Sequence, residues 1–300
     1  MRISITYNPR SGRGKALRLS EAITRIAQAR GHQVAAHDIH AAGGVTDETI
    51  ADCDRLVIVG GDGTVHHLLP QLAQTPDNPK PPFYHCGTGT ANLISHAFKM
   101  PSKPARLVEL LERDTPPVRV DLPLCNGHPF LIMASLGMDA SVIHRLEESR
   151  KLGGYRAYIR PTLREIFNPR FAHAQVQLDN QPAPKLSRPG ILVIANMPNY
   201  GGHFNPCAKA RWDDATLDIA HIPGTTSITS AMRYLAMLAR LPAATTACAK
   251  HITISATTPS CVQIDGEKPN HVPSILPPDS TLNFTMSPQS ILVHAPLLTP

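Results

Sequence analysis

Aromatic residues are scarce in this 300-residue chain, at 5% of the total. No stretch interleaves basic with aromatic side chains in the way that stacks bases, so nucleic acid is the weaker of the partners a basic chain suggests. Charged residues are few as well, at 17% against 42% hydrophobic, a balance that excludes a disordered chain. The six cysteines, at 53, 86, 125, 207, 248 and 261, contain no C-x-x-C pair and suggest no disulfide framework. Fifteen histidines include no H-E-x-x-H motif and no Cys/His cluster, so no zinc site is legible. No apolar run approaches the ~20 residues of a membrane span. The start, Met1–Tyr7, reads as a strand and not as a signal peptide. These absences lead us to expect a cytoplasmic protein that meets a membrane, if at all, peripherally and from its inner face. They leave a homodimer open.

What is present has a clear order. The formal net charge of +6 suits anionic partners such as nucleotide phosphates or acidic lipid surfaces. The length accommodates two domains, each with its own core. In the first third, one arrangement occurs three times: an apolar run, a Gly-rich turn, then a helical pattern. The runs are Arg2–Tyr7, Arg55–Val59 and Phe83–Cys86. Their turns are Asn8-Pro9-Arg10-Ser11-Gly12-Arg13-Gly14, Gly60-Gly61-Asp62-Gly63-Thr64 and Gly87-Thr88-Gly89-Thr90. Strand–loop–helix units in series predict a mainly parallel sheet flanked by helices, with all three loops at the carboxyl ends of the strands, where open α/β sheets bind ligands.

Beyond about residue 117 the texture changes to short strands separated by turn residues. Val118–Leu124, Phe130–Ser135, Ala172–Leu178, Ile191–Asn196, Leu217–Ile222, His251–Ala256, Cys261–Ile264 and Leu282–Met286 all read this way. Helical patterns interrupt them at about 140–150, 155–167 and 227–241. The expected architecture is an α/β nucleotide-binding domain over residues 1–117, then a β-rich, sandwich-like domain over 118–300. The last ten or so residues are free to return to the first.

The loop Gly60–Thr64 carries the strongest chemical signal. Glycines let a backbone approach a phosphate, and the helix that follows offers N–H groups and a partial positive charge. Asp62 inside such a loop suits Mg²⁺ binding, or acceptance of a proton from an attacking hydroxyl. The bland alternative is a turn whose Asp caps the helix. Two similar loops beside it favour a phosphate cradle. The P-loop pattern would need Gly where Pro9 stands and Ser or Thr where Ala16 stands, and G-x-G-x-x-G fails in all three loops.

These residues together resemble the diacylglycerol kinase catalytic-domain family, which includes bacterial lipid kinases and sphingosine kinases. Asn8-Pro9-x-Ser11-Gly12 is similar to its first nucleotide motif, Gly60–Thr64 to its Gly-Gly-Asp-Gly-Thr motif, and Gly89-Thr90-x-Asn92 to the core of its third. Gly137-x-Asp139-Ala140, Asn196, Gly201-Gly202, Asp214-x-x-Leu217-Asp218 and Ile264-Asp265-Gly266-Glu267 follow in family order. The family usually has Pro where Gly87 stands, often Asp where Leu93 stands, and often Glu where His67 stands.

The resemblance implies an ATP- and Mg²⁺-dependent lipid kinase. It phosphorylates a hydroxyl of diacylglycerol or a related lipid at a membrane surface, with the active site where the domains meet. ATP would lie against Asn8, Pro9, Ser11, Gly12, Gly60, Gly61, Asp62, Gly63, Thr64, Gly89, Thr90 and Asn92. Asp265 would be the general base, with Asp62 as competitor; Glu267 joins the catalytic set, where it binds nucleotide or metal, or else is structural. Asp214, Leu217 and Asp218 would hold a structural Mg²⁺, the alternative being a polar turn. The sequence also admits a soluble-substrate kinase such as an NAD kinase, or a catalytically silent nucleotide-binding regulator. Arg156, Arg160 and Arg164 recur every four residues among apolar neighbours, a pattern suited either to an anionic membrane or to a solvated helix face.

Overall fold

The computed structural model describes residues 1–41, 45–73, 79–149, 156–198, 205–224, 226, 229, 232–233 and 244–296. Most of the helix expected at 227–241, the Gly201-Gly202 pair and the side chains of Arg156 and Arg160 lie outside the described residues. The chain divides into two compact units: Met1–Leu122 with Pro288–Pro300, and Pro123–Ser287.

The first unit alternates strands and helices: β1 (Arg2–Tyr7), α1 (Lys15–Ala29), β2 (Gln33–Asp38), α2 (Asp47–Ala51), β3 (Arg55–Gly60), α3 (Asp62–Leu72), β4 (Phe83–Gly87), α4 (Leu93–Ala97), α5 (Pro104–Leu111) and the start of β5 (Val118–Cys125). The strands pair in the order β2-β1-β3-β4, all parallel. Leu56–Val59 in β3 are wholly buried, as a strand covered on both faces must be, which explains its unbroken apolar run. Helix α1 turns Ala16, Ser20, Ile23 and Ala27 inward at a spacing of three and four residues. The register sets Tyr7 beside Val59 and Gly60 beside Gly87, so the three Gly-rich loops leave the sheet at one level.

The second unit holds β6 (His128–Pro129), β7 (Met133–Leu136), α6 (Met138–Ser149), α7 (Arg156–Phe167), β8 (Ala174–Leu178), β9 (Gln181–Pro182), β10 (Gly190–Ala195), β11 (Leu217–Pro223), β12 (Thr245–Ala249), β13 (His251–Ala256), β14 (Ser260–Ile264), β15 (Ile275–Leu276) and most of β16 (Thr281–Val293). One antiparallel sheet runs β12-β11-β10-β7-β14-β15. In another layer, β13 lies antiparallel between β8 and the first part of β16. Side chains alternate across β10. Leu192 and Ile194 join Phe130, Ile254 and Phe284 in the larger core, while Ile191, Val193 and Ala195 join Met138, Cys207 and Ile222 in a second one. The α/β domain followed by a β-rich sandwich is therefore borne out.

Two local expectations change. Phe130–Ser135 is not one strand, because the N–H groups of Leu131 and Ile132 turn away from the ladder to a carboxylate described below. Gln33–Asp38, unremarkable in the sequence, is an edge strand whose place is set by its main-chain register with β1.

Three buried histidines give the fold a pH dependence. The rings of His85, His221 and His294 share a hydrogen bond from Nε2–H to a backbone carbonyl, of Gly60, Arg188 and Leu110 respectively. Burial lowers the pKa of each below the usual histidine value. The unfolded chain then takes up protons near pH 6.5 that the folded chain refuses until lower pH. The stabilisation is complete above about pH 6.5 and is lost as pH falls through the lowered values. His144 and Asp218, whose pKa values are raised, run the other way. We expect the thermal midpoint to drop between about pH 7.5 and 5.5. A midpoint that held or rose over that interval would contradict it.

Candidate active site

The first loop begins where β1 ends. Ser11–Gly14 form a 3-10 turn in which Gly12, Arg13 and Gly14 have φ of 59°, 55° and 82°, three successive left-handed residues. Gly12 is required twice over, since a Cβ there would also lie 2.6 Å from the Thr88 carbonyl oxygen. Ser11 Oγ and Thr88 Oγ1 share a hydrogen bond of 2.8 Å, joining the first loop to the third. Asn8 accepts from the Arg10 N–H at 3.0 Å and donates through Nδ2 to Thr64 Oγ1 at 3.4 Å, joining the first loop to the second. Pro9 sits half-buried within the same turn.

The second and third loops touch through their main chains. A Cβ on Gly89 would come within 2.9 Å of the Gly61 Cα, and one on Gly61 within 3.3 Å of the Gly89 Cα. The Thr64 side chain folds back so closely that any Cβ on Gly60 would overlap it. Thr88 N–H donates to the Gly60 carbonyl at 2.7 Å. Asn92, at φ 50°, closes the third loop on itself: Oδ1 accepts from the Gly89 N–H at 2.8 Å, and Nδ2 donates to the Gly89 carbonyl at 3.1 Å. Gly63 lies in the first turn of α3, and Thr90 is exposed.

Asp62 has a specific task here. Its two carboxylate oxygens accept the Leu93 and Ile94 N–H groups, at 3.0 and 3.2 Å, at the start of α4. It thus caps a neighbouring helix and not its own. The departures from the family pattern acquire places too. Gly87 leaves room for Asn92, whose Cγ would lie 2.6 Å from a Cβ at position 87. Leu93 contributes its N–H to Asp62, and His67 is exposed on α3.

In the second unit, Ile264–Glu267 form a two-residue hairpin closed by reciprocal main-chain bonds of 3.0 Å. Asp265 and Gly266 have φ of 51° and 78°, the positive values a type I′ turn demands. Asp265 is 4% exposed. Its Oδ2 accepts from Leu131 N–H at 2.9 Å, and its Oδ1 from Ile132 and Met133 at 2.7 and 3.1 Å. The carboxylate is thus a buried clamp on the main chain of Leu131–Met133. Glu267 follows it, half-buried. Behind the turn, Gln263 Oε1 accepts from the Gly266 N–H at 2.7 Å, while its Nε2 donates to Ser135 Oγ at 2.9 Å. Ser135 Oγ donates in turn to Asp139 at 2.5 Å. Gln263, Ser135 and Thr88 are absent from the sequence-derived site. A polar residue inside the apolar run Val262–Ile264 was the available signal for Gln263.

Asp214 and Asp218 are close enough that Asp214, after burial, raises the pKa of Asp218. Asp214 Oδ1 accepts from the Thr216 N–H and Oγ1 at 3.0 and 2.9 Å across Ala215, at φ 55°. Leu217, beside them, opens β11. Two neighbouring carboxylates have the oxygen chemistry that suits Mg²⁺. No group of three or more His, Cys, Asp or Glu side chains is gathered for a metal among the described residues.

Residues 2–122 match the family model described as the diacylglycerol kinase catalytic domain, and residues 132–294 match the YegS C-terminal NAD kinase beta sandwich-like domain. The chain is 29% identical over 266 residues to a protein of Pseudomonas fluorescens Pf-5 named "Probable lipid kinase YegS-like", covering 84% of this chain and 81% of that one. A protein of the same name from Pseudomonas aeruginosa UCBPP-PA14 is 27% identical, covering 82% and 78%. Among solved structures, one titled as a diacylglycerol kinase from Bacillus anthracis str. Sterne aligns with a TM-score of 0.67 at 18% identity, covering 98% of this chain and 95% of that one. That likeness is one of fold.

Proposed function

The chain belongs to the YegS-like, diacylglycerol kinase-like family of lipid kinases, and from that premise we propose that it transfers the γ-phosphate of ATP to a hydroxyl of diacylglycerol or a related lipid. The observation that carries the nucleotide assignment is the approach of Gly61 to Gly89, main chain against main chain, with the Ser11–Thr88 hydroxyl pair bridging from the first loop. A surface built from glycine backbone and small hydroxyls admits phosphate oxygens to hydrogen-bond distance of N–H groups. Catalysis of this kind is largely positioning and charge stabilisation.

Bound Mg²⁺ would neutralise the developing charge on the phosphates, with Asp62 as the carboxylate of the cradle. Asp265 and Asp62 each commit both oxygens to main-chain N–H groups. We assign the proton of the lipid hydroxyl to Glu267, half-buried at the end of the same hairpin, with Asp265 fixing the turn that presents it. Asp214, Leu217 and Asp218 would hold a second, structural Mg²⁺.

A lipid acceptor requires a membrane-facing surface. On α7, Leu163 is 49% and Phe167 78% exposed, four residues apart on one face, with Arg164 exposed beside them. An apolar pair flanked by a cation suits an anionic bilayer. Among the described residues, no helix is long and apolar enough to cross a membrane. Phe167→Ser is expected to lower phosphorylation of diacylglycerol in anionic vesicles about threefold or more, and to leave the rate on detergent-dispersed lipid unchanged. Equal loss in both assays would remove α7 from the membrane surface.

Labelled ATP offered with diacylglycerol, sphingoid bases, ceramide, phosphatidylglycerol and a total lipid extract tests the activity itself. Transfer to a lipid is expected. Transfer to NAD and to no lipid would overturn the proposal.

A further inference from the structure

His85 is a wholly buried histidine directly beneath the Gly60–Thr64 loop. It lies on β4, and its Nε2 is 3.2 Å from the Gly60 carbonyl. A carbonyl only accepts, so Nε2 carries the hydrogen. Nδ1 of the neutral ring is then an acceptor, and Ser95 Oγ stands 3.0 Å from it, held from α4. The single hydrogen of that hydroxyl is shared with the His85 carbonyl, also 3.0 Å away, in a three-centre bond that ties the ring to its own main chain. His221 and His294, also buried and bonded through Nε2, have no partner for Nδ1 among the described residues.

The Gly60 carbonyl accepts a second hydrogen bond, from Thr88 N–H at 2.7 Å. Both of its lone pairs are therefore engaged. This carbonyl and the Gly61 N–H belong to one planar trans peptide and point in opposite directions. Drawing the carbonyl down to the imidazole turns the Gly61 N–H away from it, towards the side of the loop where a phosphate would lie. The peptide joins two glycines, which have no Cβ to resist its rotation. Its orientation must be held from outside.

We propose that His85, oriented by Ser95, is a positioning residue that locks the Gly60–Gly61 peptide so that its N–H is directed at a bound phosphate. This rests on the reading of the three loops as the nucleotide site. The ring touches no substrate, and its effect is exerted through the loop.

The test is equilibrium binding of Mg·ATP, and kcat and KM for ATP with diacylglycerol in vesicles, on the full chain and its variants. His85→Leu fills the space and removes the donor. It is expected to weaken ATP binding and raise KM for ATP about tenfold, with kcat within about twofold. His85→Gln, whose amide N–H₂ can reach the Gly60 carbonyl, is expected to restore most of that loss. Ser95→Ala, a milder change that leaves the ring in place, should weaken ATP binding about threefold and stands in if His85→Leu does not fold. Unchanged ATP affinity in a folded His85→Leu or in Ser95→Ala, or equal losses in the Leu and Gln variants, would overturn the role of His85 while leaving the nucleotide site standing. A wild-type protein that binds no ATP would overturn both.

Discussion

Asp265→Ala is expected to destabilise the second unit by about 3–5 kcal/mol, as a fall in the urea midpoint at constant slope. Three buried N–H groups, of Leu131, Ile132 and Met133, lose their acceptor together. Each orphaned buried donor costs about 1–3 kcal/mol. Alanine is also a poor occupant of a position at φ 51°, which adds to the loss. Asp265→Asn separates the two contributions. Asparagine tolerates the left-handed region but has a single side-chain oxygen, so some of the three bonds must fail, at about 1–3 kcal/mol. Its activity should also fall, because the turn carrying Glu267 loses its anchor. Loss of turnover in Asp265→Asn is therefore no proof that Asp265 takes the proton. An unaltered urea midpoint in Asp265→Ala would show that the clamp contributes nothing to the fold.

Glu267→Gln should be the mirror image. The turn keeps its main-chain bonds and its Asp265 anchor, so the midpoint should stay within about 0.5 kcal/mol of wild type. Turnover on lipid should fall by about 10²–10⁴, the usual contribution of a general base, with KM for ATP little changed. If Glu267→Gln retained near-normal kcat while Asp62→Asn lost it, the base would be Asp62 and the helix-capping bonds to Leu93 and Ile94 would have to open during the reaction.

The α/β unit was readable because its signals are local. Each loop follows an apolar run directly, and glycine is demanded at positions such as Gly12 by backbone geometry within a few residues. The edge strand Gln33–Asp38 was not readable, since an exposed edge places little constraint on side chains and its register is a main-chain matter. The chemistry of Asp265 was the hardest to see. Asp-Gly in a hairpin gives the turn, but the three N–H groups that occupy its carboxylate lie 132 to 134 residues earlier in the chain. His85 poses the same problem over 25 residues. An apolar run that contains one histidine reads simply as a strand, and only pairing with β3 puts the ring under Gly60.

The long strand β16 has a bearing on how the protein is made. Its first part runs antiparallel to β13, whereas Val293 lies parallel beside Phe83 of β4, and His294 donates its N–H to the Phe83 carbonyl at 2.7 Å. The edge of the parallel sheet is thus completed by residues that follow the whole of the second unit in the chain. Domains ordinarily fold in the order they leave the ribosome. Here the first unit must wait with β4 uncovered until the second unit has been made and the segment after it emerges. A nascent chain stalled before Pro288 would expose an unpaired parallel edge, the kind of surface that chaperones bind and that aggregation begins from.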